Sequence, residues 1–169
     1  WYLYFTAGRA DAPFDIRLYV LENPSPNPLE GQWTERGQIN TGWESFALDA
    51  TTFAIGAQRY LVWTQRPATS GKHLTAIYMA RMDSPLTISG PAVQLSKPEY
   101  AWEKIGFDVN EAPAVLVKNG RVFLTYSASA TDANYALGML TADASANLLD
   151  PAVWKKSPQP VFRSSAANG

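Results

Sequence analysis

The sequence predicts an all-β fold, and three observations carry that prediction. Short runs rich in Val, Ile, Tyr, Phe, Trp and Thr recur along the chain, separated by Gly, Pro, Asn and Asp. No long window sustains the 3.6-residue apolar period of a helix. One motif repeats: "YLYFTA" at 2–7, "YLVWTQ" at 60–65 and "FLTYSA" at 123–128 align Phe5, Trp63 and Tyr126, each followed by a hydroxyl residue, Thr6, Thr64 and Ser127. A spacing of roughly 58–63 residues with three to four strands per copy is that of propeller blades. A two-sheet sandwich would not repeat an aromatic-hydroxyl pair on such a period. The fold expected is therefore a β-propeller fragment of about two complete blades plus part of a third.

Taken in order, residues 1–45 read as an incomplete blade, with strands at 2–7 and 16–22 ("IRLYVLE"), a proline-rich loop "ENPSPNPLEG", and a Trp33 connection. Residues 46–108 read as a blade with strands at 60–65 and 74–82 ("LTAIYMARM") and a Gly-Pro turn in "SPLTISGPAV". Residues 109–169 read as a third blade and the start of the next connection. Its Asn119-Gly120 pair lies between apolar runs, the strongest short hairpin signal, because a type I′ turn needs positive φ at both positions. The strand "NYALGMLTA" at 134–142 and the Trp154 connection follow. Trp33 and Trp154 are expected to be packing residues, and His73 a surface residue of a blade hairpin. The chain opens inside a strand ("WYLYFTAG") and stops at "VFRSSAANG", so an internal piece of a longer protein is expected; a signal peptide is not readable from it.

Composition narrows the function. With 169 residues, 46% hydrophobic and 17% charged, the chain has material for a packed core. A net charge of −1 supplies no attraction for nucleic acid or an anionic membrane, and no apolar run nears the roughly 18 residues that span a bilayer. No cysteine is present, so disulfides and thiolate chemistry are excluded. One histidine is too few for a His-rich metal cluster.

The repeat extends upstream of its matched strand in two copies. "TGWESFALDATTFAI" and "YAWEKIGFDVNEAPAVLV" each hold Trp-Glu (Trp43-Glu44, Trp102-Glu103) and then a carboxylate at the start of an apolar strand. Asp49 lies fourteen residues before Trp63, and Glu111 fifteen before Tyr126. Read as equivalent positions of successive blades, the two carboxylates converge at one end of a central channel. Paired carboxyl groups are the equipment of glycoside hydrolysis, one protonated to donate to the leaving oxygen and one ionised. Apolar neighbours Phe107, Val109 and Pro113 favour a neutral Glu111, and the charge of Asp49 opposes its ionisation. Trp43 and Trp102 are candidates either for stacking on sugar rings or for blade packing. Ser127 and Ser129 are candidate lining residues.

On "WEKIGFDVNEAPAVL…GRVFLTYSASATDANYALGMLTAD" with "ALDATTF…RYLVWT", the chain resembles glycoside hydrolase family 43, and within it the α-L-arabinofuranosidases. The resemblance implies a five-bladed propeller and an inverting mechanism with three acidic residues. It assigns the general acid to Glu111 in "VNEAP" and the pKa-modulating, acid-orienting role to Asp49 in "LDATTF". The base aspartate would precede Trp1, since Asp11 and Asp15 fall on a hairpin, and the family's central histidine would lie beyond Gly169. The implied substrate is a terminal α-L-arabinofuranosyl unit of arabinan or arabinoxylan. β-Xylosidase or endo-arabinanase activity, or a noncatalytic carbohydrate-binding propeller, stands as the alternative. No cofactor is implied within this segment, calcium is allowed in the parent, and a secreted or periplasmic parent is expected. The segment alone is expected to be inactive. Where the family usually has Glu-Gly-Pro, this sequence has Glu111-Ala112-Pro113, a tolerable change unless position 112 needs a left-handed backbone.

Overall fold

The structure, a computed structural model, describes residues 1–69, 74–165 and 167, and at Pro13 the backbone only. His73 lies outside the described residues. Strands β1 (Tyr2–Arg9), β2 (Ala12–Glu22) and β3 (Thr34–Gln38) form one antiparallel sheet in that order. A second antiparallel meander follows: β4 (Ala47–Ile55), β5 (Gln58–Gln65), β6 (Leu74–Ser84) and β7 (Thr87–Ser96). A third holds β8 (Asp108–Lys118), β9 (Arg121–Ala128) and β10 (Ala136–Asp143), with the short strands β11 (Lys155–Lys156) and β12 (Phe162–Arg163) both on β10. A two-residue parallel bridge, Leu74 to Asp108 and Thr75 to Val109, ties the second sheet to the third.

Local chemistry places the turns. Lys118 pairs with Arg121 around Asn119 (φ 51°) and Gly120 (φ 72°), the double left-handed geometry that Asn-Gly supplies. Alternation then sorts the side chains. Along β5, Tyr60 and Val62 pack with Ile77 and Met79 and with Val122, Leu124 and Tyr126 of the third sheet. Leu61 and Trp63, on the opposite face, pack with Leu18, Val20 and Ile39 of the first. The middle sheet is apolar on both faces because it lies between two neighbours, which is why β5 reads as an unbroken apolar run. Each fully buried Leu or Val there contributes about 1.5–3 kcal/mol.

Two of the repeat's three aromatic residues, Trp63 and Tyr126, are fully buried, whereas Phe5 is half-buried. Gly138 pairs directly with Tyr126, and a Cβ on it would lie 2.1 Å from the Tyr126 ring, so only glycine leaves room for the phenol. Trp154 joins the same core and donates from Nε1 to the Leu148 carbonyl at 2.9 Å, whereas Trp33 stays at the surface. Asp11 and Asp15 form ion pairs with Arg9 and Arg17 on the β1–β2 hairpin.

Candidate active site

Strands β4 and β8 carry the same irregularity. Leu48 faces Thr64 and Thr51 faces Val62, so Asp49 and Ala50 together oppose Trp63. Glu111 faces Ser127 and Ala114 faces Thr125, so Ala112 and Pro113 together oppose Tyr126. Each is a bulge of two residues against one, with its first residue left-handed: Asp49 at φ 56° and Ala112 at φ 48°. The register corrects one expectation. Asp49 corresponds to Ala112, and Glu111 to Leu48, so the two carboxylates are offset by one residue rather than equivalent.

That offset is what joins them. The Ala112 amide donates to Asp49 Oδ2 at 3.1 Å, and the Asp49 amide donates to Thr6 Oγ1 at 3.2 Å. Asp49 thereby links all three sheets, and Thr6 is the hydroxyl of the first copy of the repeat. Glu111 Oε1 accepts from Thr75 Oγ1 at 2.9 Å, Thr75 being buried beside the parallel bridge. Both carboxylates border one cleft of about 700 Å³. Burial raises the Glu111 carboxyl above its ordinary value, the Thr75 hydrogen bond works against this, and the charge of Asp49 adds to it. Burial also raises Asp49, opposed by the Ala112 amide.

Ala112 meets the one condition under which alanine is expected to be costly. A left-handed backbone costs an L-residue about 1–2 kcal/mol, partly offset because glycine loses more chain entropy on folding. Ala112→Gly is expected to stabilise the folded protein by about 0.5–1 kcal/mol, read as a higher urea midpoint. A lower midpoint would show that the alanine carries no strain.

Ser127 and Ser129 border the cleft. Ser127 is buried opposite Glu111; the Ser129 hydroxyl is already committed, donating to the Trp102 carbonyl at 2.6 Å and accepting from the Ile105 amide. Trp43 and Trp102 are not among the residues lining it. Trp43 packs edge-on against Tyr78 at 5.0 Å, donates to the Arg66 carbonyl, and borders a separate cleft of about 580 Å³ with Leu86 and Ile88. Trp102 stacks between Tyr100 and Tyr126 and donates to the Pro158 carbonyl. Of the two readings open for these indoles, their contacts are those of blade packing.

Several lining residues escape sequence reasoning: Thr75, Arg66, and the rings of Phe14, Phe46 and Tyr135. Phe14 is 87% exposed at the β1–β2 hairpin, its ring open to solvent at the border of the cleft. Thr75 and Tyr135 hold the same position in the matched strands at 74–82 and 134–142, and Arg66 the position of Ser129, but the residue types differ between copies, so the repeat offers no chemical signal for them.

Behind the cleft, the two Trp-Glu pairs diverge. Glu44 is at the surface with Arg17. Glu103 is fully buried: Oε1 accepts from Tyr126 Oη (2.8 Å) and Asn110 Nδ2 (2.9 Å) and lies 2.8 Å from Lys156 Nζ, and Oε2 accepts from Lys156 Nζ (3.0 Å) and the Glu99 and Tyr100 amides. Burial alone would raise its carboxyl, but Lys156 and those amides outweigh it and hold it below the usual carboxylate range. Asn110, the neighbour of Glu111, is also fully buried and accepts from Ser96 Oγ at 2.6 Å. The network thus fixes the backbone on which Glu111 stands. Among the described residues no group of three or more His, Asp and Glu side chains gathers to hold a metal.

The glycosyl hydrolases family 43 model matches residues 1–169. The chain is 54% identical over its whole length to an extracellular exo-α-(1→5)-L-arabinofuranosidase of Streptomyces avermitilis, of which it spans 35%. It is 52% identical, over 99% of its length, to α-L-arabinofuranosidase 43 of Humicola insolens, of which it spans 34%. A crystal structure of an α-L-arabinofuranosidase from Lactobacillus brevis superposes with a TM-score of 0.92 at 48% identity, covering 99% of this chain and 53% of that one. The chain therefore spans about a third of the length of these curated relatives.

Proposed function

The chain belongs to glycosyl hydrolase family 43, and on that premise we propose that it supplies the acid half of a site that removes terminal α-L-arabinofuranosyl units from arabinan or arabinoxylan with inversion. The observation that carries the reading is the meeting of Asp49 and Glu111, from adjacent blades, at one cleft that raises both carboxyls. The arabinofuranosidase names of relatives at 49–54% identity favour this sugar over a xyloside. Two of those names say extracellular, which supports a secreted parent.

Glu111, neutral in the resting site, gives its proton to the glycosidic oxygen as the bond from that oxygen to the anomeric carbon breaks. Thr75 occupies Oε1, which leaves Oε2 to hold the proton. Burial first favours the protonated form of Glu111, and the charge of an ionised Asp49 adds to it. A water, deprotonated by an aspartate outside this chain, attacks the anomeric carbon from the opposite face. Acid and base then stand roughly 6.5–9.5 Å apart, with room for that water. Ser127 is placed to meet a sugar hydroxyl. Trp43 and Trp102 are left to hold the blades together.

Inversion makes the β-anomer the first product. Proton NMR of a full-length protein containing this chain, acting on an aryl α-L-arabinofuranoside, is expected to show the β-anomer before mutarotation. The α-anomer appearing first would contradict the mechanism, and no release of arabinose would contradict the substrate.

A further inference from the structure

Resting on the reading that the cleft holds an arabinofuranosyl unit, we infer that Arg66 is a substrate-binding residue whose guanidinium donates to one hydroxyl of that sugar. Arg66 borders the cleft together with Asp49 and Glu111. Its backbone is pinned on both sides: the amide donates to the Phe46 carbonyl at 2.9 Å, and its carbonyl accepts from Trp43 Nε1 at 3.1 Å and Ser45 Oγ at 2.8 Å. The guanidinium lies over the Phe46 ring, Cζ at 5.2 Å from the centroid. A guanidinium over an aromatic ring is attracted by the ring's negative face and keeps its N–H donors for other partners.

One of those donors lacks an acceptor. Arg66 Nε is buried without a hydrogen-bond partner, and among the described residues none of the ion pairs includes Arg66. A guanidinium carries five N–H donors and no acceptor, and a desolvated donor left unmatched is costly enough that native structures rarely keep one without a reason. Arg66 also borders a cleft that a ligand enters, and a ligand hydroxyl there can accept from the outer nitrogens of the guanidinium. The ligand's class follows from the neighbours. The ionised Asp49 repels an anion, while a neutral hydroxyl accepts from Arg66 and still donates its own proton to the Asp49 carboxylate or to Ser127. A polyhydroxylated sugar meets both demands, with Phe46 and the exposed Phe14 offering apolar faces beside it.

The test compares Arg66→Met and Arg66→Lys with the unaltered full-length protein on an aryl α-L-arabinofuranoside and its 2-, 3- and 5-deoxy analogues. A charge-assisted hydrogen bond to one hydroxyl is worth about 10- to 100-fold in kcat/KM. One deoxy analogue is therefore expected to lose about that factor with the unaltered protein and less than about threefold with Arg66→Met. Arg66→Lys, which keeps the charge but not the fork, is expected to fall between, and serves alone if Arg66→Met fails to fold. Deoxy penalties unchanged in the variants would overturn the assignment, and would point instead to a structural partner elsewhere in the longer protein. Turnover of the parent substrate by the unaltered protein is the separate check: its absence removes the site reading and this inference together, whereas normal turnover with unchanged penalties removes the Arg66 role alone.

Discussion

Glu111→Gln, made in a full-length protein containing this chain, is expected to lower kcat on arabinan oligosaccharides by about 10²–10⁴-fold. The loss should shrink with the acidity of the leaving group, since a dinitrophenolate departs without protonation. Near-normal turnover of an alkyl or sugar leaving group would end the assignment of Glu111 as acid. The same variant carries a stability signature that separates lost chemistry from lost fold. The Glu111 carboxyl is raised in the folded state, mainly by burial. The folded protein therefore binds the proton more tightly than the unfolded chain, and stability falls as pH climbs from the unfolded value through the raised one. Glutamine removes that burden and still accepts from Thr75. The variant should melt at a higher temperature than the parent at neutral pH, with the gap closing in acid as Glu111 takes up its proton.

Lys156→Met is expected to be the most damaging substitution for stability, at about 3–5 kcal/mol. Lys156 Nζ lies 2.8 Å from Glu103 Oε1, donates to the Lys97 carbonyl at 2.7 Å, and sits over the Tyr100 and Tyr126 rings at 5.4 Å. Without it a fully buried carboxylate keeps only neutral donors. Adding Glu103→Gln to Lys156→Met should recover much of the loss, because the residual penalty is the stranded charge. The pH dependence follows in sign. In the parent Glu103 is held below its ordinary value, so its contribution is present above the unfolded carboxylate range and fades as pH falls through the lower folded value. With Lys156 gone, burial dominates and acid relieves the variant, so parent and variant should converge at low pH. Denaturant melts at neutral and acid pH measure this, and a cost below about 1 kcal/mol at neutral pH would show that the pair does not hold the third sheet.

The two predictions draw on features of unequal legibility. Glu111 stood out because it interrupts an apolar strand beside a proline, and its flanks matched a family pattern. Glu103 carried the same Trp-Glu signature as Glu44, and nothing nearby in the chain distinguished the buried hub from the surface ion pair. Lys156 lies 53 residues beyond Glu103. Trp43 and Trp102 likewise looked fit for either sugar stacking or packing, and only their ring contacts with Tyr78, Tyr100 and Tyr126 separate the two.

What the sequence determined by itself is what depends on near neighbours: the alternation that makes strands, the Asn119-Gly120 turn, the aromatic-hydroxyl repeat that makes blades, and the two carboxylates worth testing. The tertiary structure decided what depends on distance through space. A pair of bulges set Asp49 and Ala112 left-handed, the parallel bridge brought Thr75 to Glu111, and the packing of blades brought Arg66, Phe14 and Tyr135 to one cleft. Backbone preference is a local energy, whereas desolvation and charge repulsion are set by whatever atoms the folded chain brings together.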